Sequence, residues 1–147
     1  MTDIFIGAPT TDAEWSGYYD LRWKILRKPW NEPAEAIDDE ERSSTHLMLT
    51  TENDLIVAVG RLHRVDQNTG QIRYMAVDTD HEHNGYGSKL LTGLEASALD
   101  QNMSTIRLHA REGAVSFYQR HGYSIIKESY LLFNEIQHYL MSKKLSA

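Results

Sequence analysis

The 147-residue chain contains no cysteine. Disulfides, thiolate zinc sites and a cysteine nucleophile are therefore excluded. No apolar run approaches the ~20 residues of a membrane-spanning helix. The 15 lysines and arginines are outnumbered by 21 acidic residues, net charge is −6, and no basic tract occurs. Nucleic acid is not expected as a main partner, because neutralising phosphates takes clustered cations. The opening MTDIFIGAPTTD lacks the basic and apolar regions of a signal peptide. A soluble cytoplasmic protein with no membrane partner is the expectation. No internal repeat, low-complexity tract or long linker is evident, so residues 1–147 read as one domain. The 41% hydrophobic and 24% charged content is ordinary for a globular chain, so wholesale disorder is not expected.

Two phosphate-loop signatures are incomplete. A dinucleotide fingerprint needs a third glycine where this chain has Leu90. A Walker loop needs an earlier glycine than Gly87-Ser88-Lys89 provides. What is present is a strand-like run, Ile72 to Val77, a polar stretch, then Gly85-Tyr86-Gly87-Ser88. An amphipathic pattern follows, with Leu90, Leu91, Leu94 and Ala98. The first N–H groups of a helix lack intrahelical partners, and the helix dipole adds positive potential. A strand, glycine turn and helix in this order suit a phosphate or pyrophosphate. They also fit an ordinary strand-to-helix turn.

The remaining elements follow from periodicity. Ile4 to Ile6 reads as a short strand. Thr11-x-x-Glu14 is a capping box opening a helix over about Asp12 to Lys28, ended by Pro29. Residues 30–44 read as a loop, with a short helix around Ala34 to Ile37. The run Asp38-Asp39-Glu40-Glu41 reads as solvated surface, with a weaker pull on a cationic acceptor. Strands are expected at His46 to Thr50, Leu55 to Val65 and Gln71 to Val77. A helix then spans Gly87 to Asp100. Ser104 to His109 is a strand and Glu112 to Arg120 a helix ended by Gly122. Tyr123 to Tyr130 and His138 to Lys143 close the chain as strands. The order is β-α-(α)-β-β-β-α-β-α-β-β, an α/β chain with a mixed, mostly antiparallel sheet and helices on both faces.

Ala114, Phe117 and Tyr118 share one helix face ahead of Gly122-Tyr123. They fit a packed core helix as well. Taken with the Gly85-x-Gly87 turn, the combination resembles the GNAT superfamily of N-acetyltransferases. Met75-Ala76-Val77 with the glycine turn looks like its cofactor motif. Ala114-x-x-Phe117-Tyr118-x-x-x-Gly122-Tyr123 looks like its A-x-x-F-Y-x-x-x-G-F motif. Leu21 to Trp30 is similar to branches of the family. Ile136 to Met141 resembles the I-P-H-x-x-M ending of ElaA-like members, with Gln137 in place of the proline. The resemblance covers nearly the whole chain and implies the GNAT acyl-CoA N-acyltransferase fold.

It also implies an enzyme that moves an acetyl group from acetyl-CoA, a co-substrate, to a primary amine of a small molecule or peptide. Met75, Ala76 and Val77 would bond the pantetheine arm and thioester. The amides of His83, Asn84, Gly85, Tyr86, Gly87 and Ser88 would hold the pyrophosphate, and Tyr118 would serve the departing thiolate. The family usually carries Arg or Gln where this chain has Glu82, so that carboxylate is expected to face solvent. For the base, His109 and His138 are candidates, with Glu128 and Glu135 acting through water. Arg73, with Arg61, would meet an anionic group of the acceptor or pair with acids. His81-x-His83 lacks a third ligand, and no metal is expected. The C-terminal strands allow a homodimer. A non-catalytic acyl-CoA-binding module is the alternative; a homoserine-lactone-synthase-like acyltransferase is disfavoured by the short chain and intact glycine turn.

Overall fold

A computed structural model of the protein describes residues 3–34 and 37–146. Strands β1 (Ile4–Gly7), β2 (Thr45–Thr51), β3 (Ile56–Arg64), β4 (Thr69–Val77), β5 (Thr105–Arg111), β6 (Ser124–Leu132) and β7 (Ile136–Lys144) form one sheet. Their spatial order is β1-β2-β3-β4-β5-β7-β6. Only β4 and β5 are parallel; every other neighbouring pair is antiparallel. The helices are α1 (Asp12–Leu26), α2 (Tyr86–Asp100) and α3 (Val115–Arg120). The expected element order and the mixed sheet are therefore observed.

Local chemistry sets the boundaries. Thr11 and Glu14 form the capping box of α1, each satisfying the other's backbone N–H. That helix ends at Leu26, two residues before the expected Lys28. Lys28–Trp30 then turns as 3₁₀, with Pro29 in its first turn and Asn31 left-handed at its end. The expected short helix around Ala34 to Ile37 falls across residues outside the described ones. Asp66 Oδ1 accepts from the N–H groups of Asn68 and Thr69 and closes the β3–β4 hairpin. The third helical segment opens as a 3₁₀ turn, Glu112–Ala114, and becomes α-helical only at Val115. It ends in paired 6→1 and 5→2 bonds, Tyr123 N to Tyr118 O and Gly122 N to Gln119 O. Gly122, at φ 91°, takes the left-handed position that this ending requires.

The two long helices cover opposite faces of the sheet. Leu90, Leu91, Leu94 and Ala98 of α2 pack with Leu49, Val57, Leu62 and Ile106. Burying each of those leucines contributes about 1.5–3 kcal/mol. On the other face Tyr18 and Leu21 of α1 pack on Met48, Val59 and Ala76. Gly60 of β3 lies between the layers. A Cβ there would stand 2.9 Å from Leu94 Cδ1, while its carbonyl accepts the Tyr18 hydroxyl on the α1 side. Among the described residues no helix is long and apolar enough to cross a membrane.

The acidic run is not simply solvated surface. Asp39 and Glu40 are exposed, but Glu41 is buried and Asp38 half-buried. Arg61, fully buried on β3, donates to both, at 2.9 Å to Asp38 and 2.8 Å to Glu41. Arg22 forks onto Glu41 at 3.2 and 3.3 Å, and the Tyr19 hydroxyl adds a bond at 2.9 Å. A chain segment between two elements thus supplies the anions that an arginine in the sheet interior requires. Burial opposes ionisation of Glu41, but the hydrogen bonds and charge of Arg22, with Tyr19 and Arg61, hold its carboxyl below the ordinary range. The Arg61 hydrogen bond does the same for Asp38.

Both folded pKa values lie below the unfolded ones, so this stabilisation is present above the unfolded carboxylate pKa of about 4 and is lost as pH falls through the folded values. Glu41→Gln should lower unfolding free energy at pH 7 by about 3 kcal/mol. It should also flatten the loss of stability below the unfolded pKa. Urea melts at pH 7 and at acid pH test both, and a variant as stable as the parent at pH 7 would show that the buried cluster contributes nothing.

Candidate active site

The site begins with a break in the sheet. β4 and β5 pair only from Thr69 opposite Thr105 to Ile72 opposite Leu108. Beyond Ile72 the β5-facing edge of β4 has no strand partner, while β5 continues against β7 as far as Arg111 opposite His138. A bulge in β4 accompanies the separation. Val59 pairs with Ala76 and Arg61 with Arg73, so Tyr74 and Met75 both stand opposite Gly60. Tyr74 is left-handed, at φ 56°, a conformation costly for a bulky residue. Its ring lies beneath the guanidiniums of Arg22, Arg73 and Arg61, at 3.8, 4.6 and 5.0 Å from the centroid. Such contacts offset the strain, and the bulge re-aims the neighbouring side chains.

Met75 packs into the α2-side core and meets Tyr118 of α3. The Tyr118 hydroxyl donates to Met75 Sδ at 3.5 Å. Thioether sulfur is a weak acceptor. The ring is buried, and burial pushes the phenol above its ordinary value, so the hydroxyl stays protonated. One residue earlier, Phe117 seats against the glycine turn: a Cβ on Gly87 would lie 3.4 Å from its ring and 3.3 Å from Val77. One short helix therefore touches both the bulge and the turn.

The turn itself leads into α2 without a side-chain cap. Asp78 caps a preceding 3₁₀ turn, Thr79–His81, by accepting from the Asp80 N–H at 3.0 Å. His83 and Gly85 are left-handed, at φ 69° and 77°. The helical ladder starts with Lys89 N to Gly85 O, so the amides of Tyr86, Gly87 and Ser88 stand ahead of it. The Ser88 hydroxyl bonds His121 Nε2 at 2.9 Å. Glu82 is exposed, as expected. With the dipole of a 15-residue helix behind them, these amides suit an anion.

A cleft of about 480 Å³ opens where β4 and β5 part. Its walls include Leu26 and Arg27 from the end of α1, Arg73 to Met75 from β4, His109 and Arg111 from β5, Tyr118, and Tyr130, Leu132 and His138 from β6 and β7. His138 is buried, and its Nδ1 lies 3.0 Å from the Ile136 carbonyl. A carbonyl only accepts, so Nδ1 carries the proton and Nε2 keeps its lone pair. Its ring stacks on Tyr130 at 4.2 Å, and Tyr130 in turn tilts on His109 at 5.4 Å. Burial lowers the His138 pKa despite the Ile136 contact, with Arg111 and His109 adding to the effect. His109 is lowered by burial, then by Arg107, Arg73 and Lys127. Both imidazoles are therefore neutral near pH 7.

Most of the expected site residues fall into two adjoining groups. Arg73, Met75, His109, Tyr118 and His138 line the cleft. Val77 touches the turn that runs from His83 to Ser88, and Ala76 lies buried beside it in β4. Arg61 is not at the cleft; it belongs to the buried Asp38–Glu41 cluster. Glu128 and Glu135 are exposed and do not line it. Tyr74, Arg111 and Tyr130 were missed. Arg111 had a signal, since it sits two residues past His109 and so on the same face of β5, but the strand was expected to stop at His109. Tyr130 comes to His138 through an irregularity in the β6–β7 register between Glu128 and Leu131, which no local pattern announces.

Comparison with known proteins agrees with this architecture. Escherichia coli ElaA superposes with a TM-score of 0.82 at 18% identity, over 98% of this chain and 100% of that one. A GNAT acetyltransferase from Elizabethkingia anophelis, solved with acetyl-CoA bound, superposes with a TM-score of 0.74 at 17% identity, over 98% of each chain. In sequence, the uncharacterized N-acetyltransferase YjcF of Bacillus subtilis is 32% identical over 124 residues, 84% of this chain and 87% of that one. The model of the acetyltransferase (GNAT) family matches residues 15–123. With β4 parted from β5 beside an uncapped glycine turn, and with that match across most of its length, the chain belongs to the GNAT family of acetyltransferases.

Proposed function

We propose that this protein transfers an acetyl group from acetyl-CoA to a primary amine, with Tyr118 as the proton donor that serves the departing thiolate. One observation carries the reading. The Tyr118 hydroxyl is buried, protonated and directed at a sulfur atom, in the gap between β4 and β5. It gives up only a weak bond to Met75 Sδ when a better acceptor arrives. The acetyl-CoA bound to the Elizabethkingia protein of like fold supports the choice of donor, as does the N-acetyltransferase name of the Bacillus relative.

The residues fit that ligand. The unpartnered edge of β4 at Met75, Ala76 and Val77 offers backbone groups to an extended amide-bearing arm, as a missing strand would. The amides of His83 to Ser88 suit its pyrophosphate. Gly87, pressed between Val77 and Phe117, keeps the backbone close to where that anion would lie. The bound thioester supplies the activated acetyl group. A backbone N–H near Val77 is suited to the negative charge that develops on the carbonyl oxygen. A phenol of pKa about 10 or more is a weaker acid than a thiol of about 8.5, so Tyr118 acts first as a hydrogen-bond donor and passes its proton as the sulfur's basicity rises in the dry site. On the acceptor side His138 is the better base. Its Nε2 lone pair is fixed by the Ile136 bond, and the ring is clamped on Tyr130. His109, in contact with the same tyrosine, has a buried Nδ1 without a partner among the described residues. It suits a positioning role.

Calorimetric titration with acetyl-CoA, CoA and a longer acyl-CoA comes first. Micromolar binding that prefers acetyl-CoA is the expected outcome, and no binding to any of them sinks the proposal. Binding without turnover of any amine would instead identify a non-catalytic acyl-CoA-binding module. Tyr118→Phe should lower kcat about a hundredfold while leaving acetyl-CoA affinity within about twofold; undiminished kcat would remove Tyr118 from the mechanism. Because the folded His138 pKa is depressed, kcat/KM should hold as pH falls to the unperturbed imidazole value of about 6.5 and decline only below it. In His138→Gln that acid limb should vanish together with most of the rate. A limb that persists would assign the base elsewhere.

A further inference from the structure

The cleft has a side chamber. A hollow of about 220 Å³ opens off it at the end of α1, and Leu26, Arg27 and Tyr74 line both spaces. Among the described residues, the rest of its wall is Tyr19, Arg22 and Trp23 of α1 with Ala34 and Ile37 of the segment that follows. Tyr19, Trp23 and Leu26 stand four and three residues apart, so one helix face supplies two rings and an alkyl group. The polar groups of this wall are already engaged. The Tyr19 hydroxyl donates to Glu41 at 2.9 Å, and the Trp23 N–H to the Glu32 carbonyl at 3.0 Å. Arg22 forks onto Glu41 and lies over the Tyr74 ring at 3.8 Å. Arg27 donates to the Pro33 carbonyl and lies 4.0 Å from Glu32. What these groups leave to an incoming ligand is ring and alkyl surface. Ile37 lines the hollow and is nevertheless 70% exposed.

We infer that the acceptor is a primary amine with an apolar group, an alkyl chain of several carbons or an aryl ring, that fills this hollow while the amine stands in the cleft. The inference rests on the acyltransfer reading above. A polar group brought into the hollow would give up hydrogen bonds to water and meet donors already committed elsewhere. An apolar group gives up none, and it takes its own surface and that of Ile37 and Trp23 out of water. The space is ample, since an engineered apolar cavity of about 150 Å³ takes benzene. Because Leu26, Arg27 and Tyr74 are shared walls, a chain that leaves the hollow past them enters the space lined by Tyr118 and His138. Binding energy gathered in the hollow thus holds the amine beside those groups.

The test is a series of n-alkylamines, ethyl to hexyl, turned over with acetyl-CoA by the intact protein. These amines share one basicity, so apolar area is what changes. The value of kcat/KM should rise about fourfold per added methylene until the hollow is full. Replacing the terminal methyl by a hydroxyl or an ammonium should cancel most of the gain. In parallel, the corresponding N-alkylacetamides, the neutral products, are titrated while the Trp23 indole N–H is followed by NMR, which needs no catalysis. Longer chains should bind more tightly and shift that signal. Ala34→Phe, which narrows the hollow, and Ile37→Ser, which removes part of its apolar wall, should flatten both slopes. Both positions are exposed, and each slope is measured within one protein, so a general loss of activity does not mimic the effect. Three results overturn the inference: affinity and turnover that ignore chain length, an ammonium-ended amine used as well as the alkyl one, or slopes that both variants leave intact. Steady turnover across a flat series would still leave acetyl transfer standing. Chain-length-selective binding of the acetamides with no turnover of any amine keeps the apolar hollow as a ligand site and discards the enzymatic reading instead.

Discussion

β4 and β5 remain hydrogen-bonded for only four residue pairs, and every feature of the site depends on how their separation beyond Ile72 and Leu108 is held open. Two strands that run parallel in one sheet tend to stay paired. Here the bulge at Tyr74 and Met75 turns β4 aside, while β5 keeps its hydrogen bonds by following β7. The gap leaves polar backbone exposed on β4. Such an edge is a liability when it faces solvent and an asset when it faces a ligand with amides of its own. Tyr118 enters this gap from α3, and the imidazole pair lies in the same cleft, on β5 and β7.

The bulge has supports on both faces. On the α1 side three guanidiniums cover the Tyr74 ring, and two of them are anchored on Glu41. On the α2 side Met75 packs with the core, and Gly60 lets Leu94 approach. A fully buried arginine is an expensive way to brace a strand, since desolvating the ions consumes most of their attraction. An apolar residue of the same size would stabilise the fold at least as well. What the ionic cluster adds is direction: it ties residues 38–41 to β3 and to α1 through bonds of fixed geometry.

Electrostatics and position also divide the labour between the two ends of the site. The turn ahead of α2 presents backbone amides and a helix dipole, an arrangement that suits an anion without any cationic side chain there. Glu82, just ahead of the turn, is exposed. In the cleft on the α1 side the two histidines are kept neutral first by burial, and then by nearby charges, Arg107 and Arg73 for His109 and Arg111 for His138.

How much of this was legible before folding varies from residue to residue. The capping box at Thr11 and Glu14, the helix end at Gly122, the glycine turn and the shared face of Ala114, Phe117 and Tyr118 are relations among residues at most a few positions apart. Backbone sterics and orphan N–H groups give such spacings one meaning almost anywhere. The element order follows from them, and so does the strand, glycine turn and helix succession that leads into α2. The sequence by itself determined that much. Only the tertiary structure decided that Asp38 and Glu41 are anchors rather than surface, that Arg61 is buried away from the cleft while Arg111 lines it, and that His138 rather than Glu128 or Glu135 presents a basic atom there. Arg73 meets Asp38 across 35 residues and Arg111 meets Leu26 across 85. Contacts at that range depend on strand register, on one bulge, and on which charges are removed from water together, and no local period in a chain encodes those.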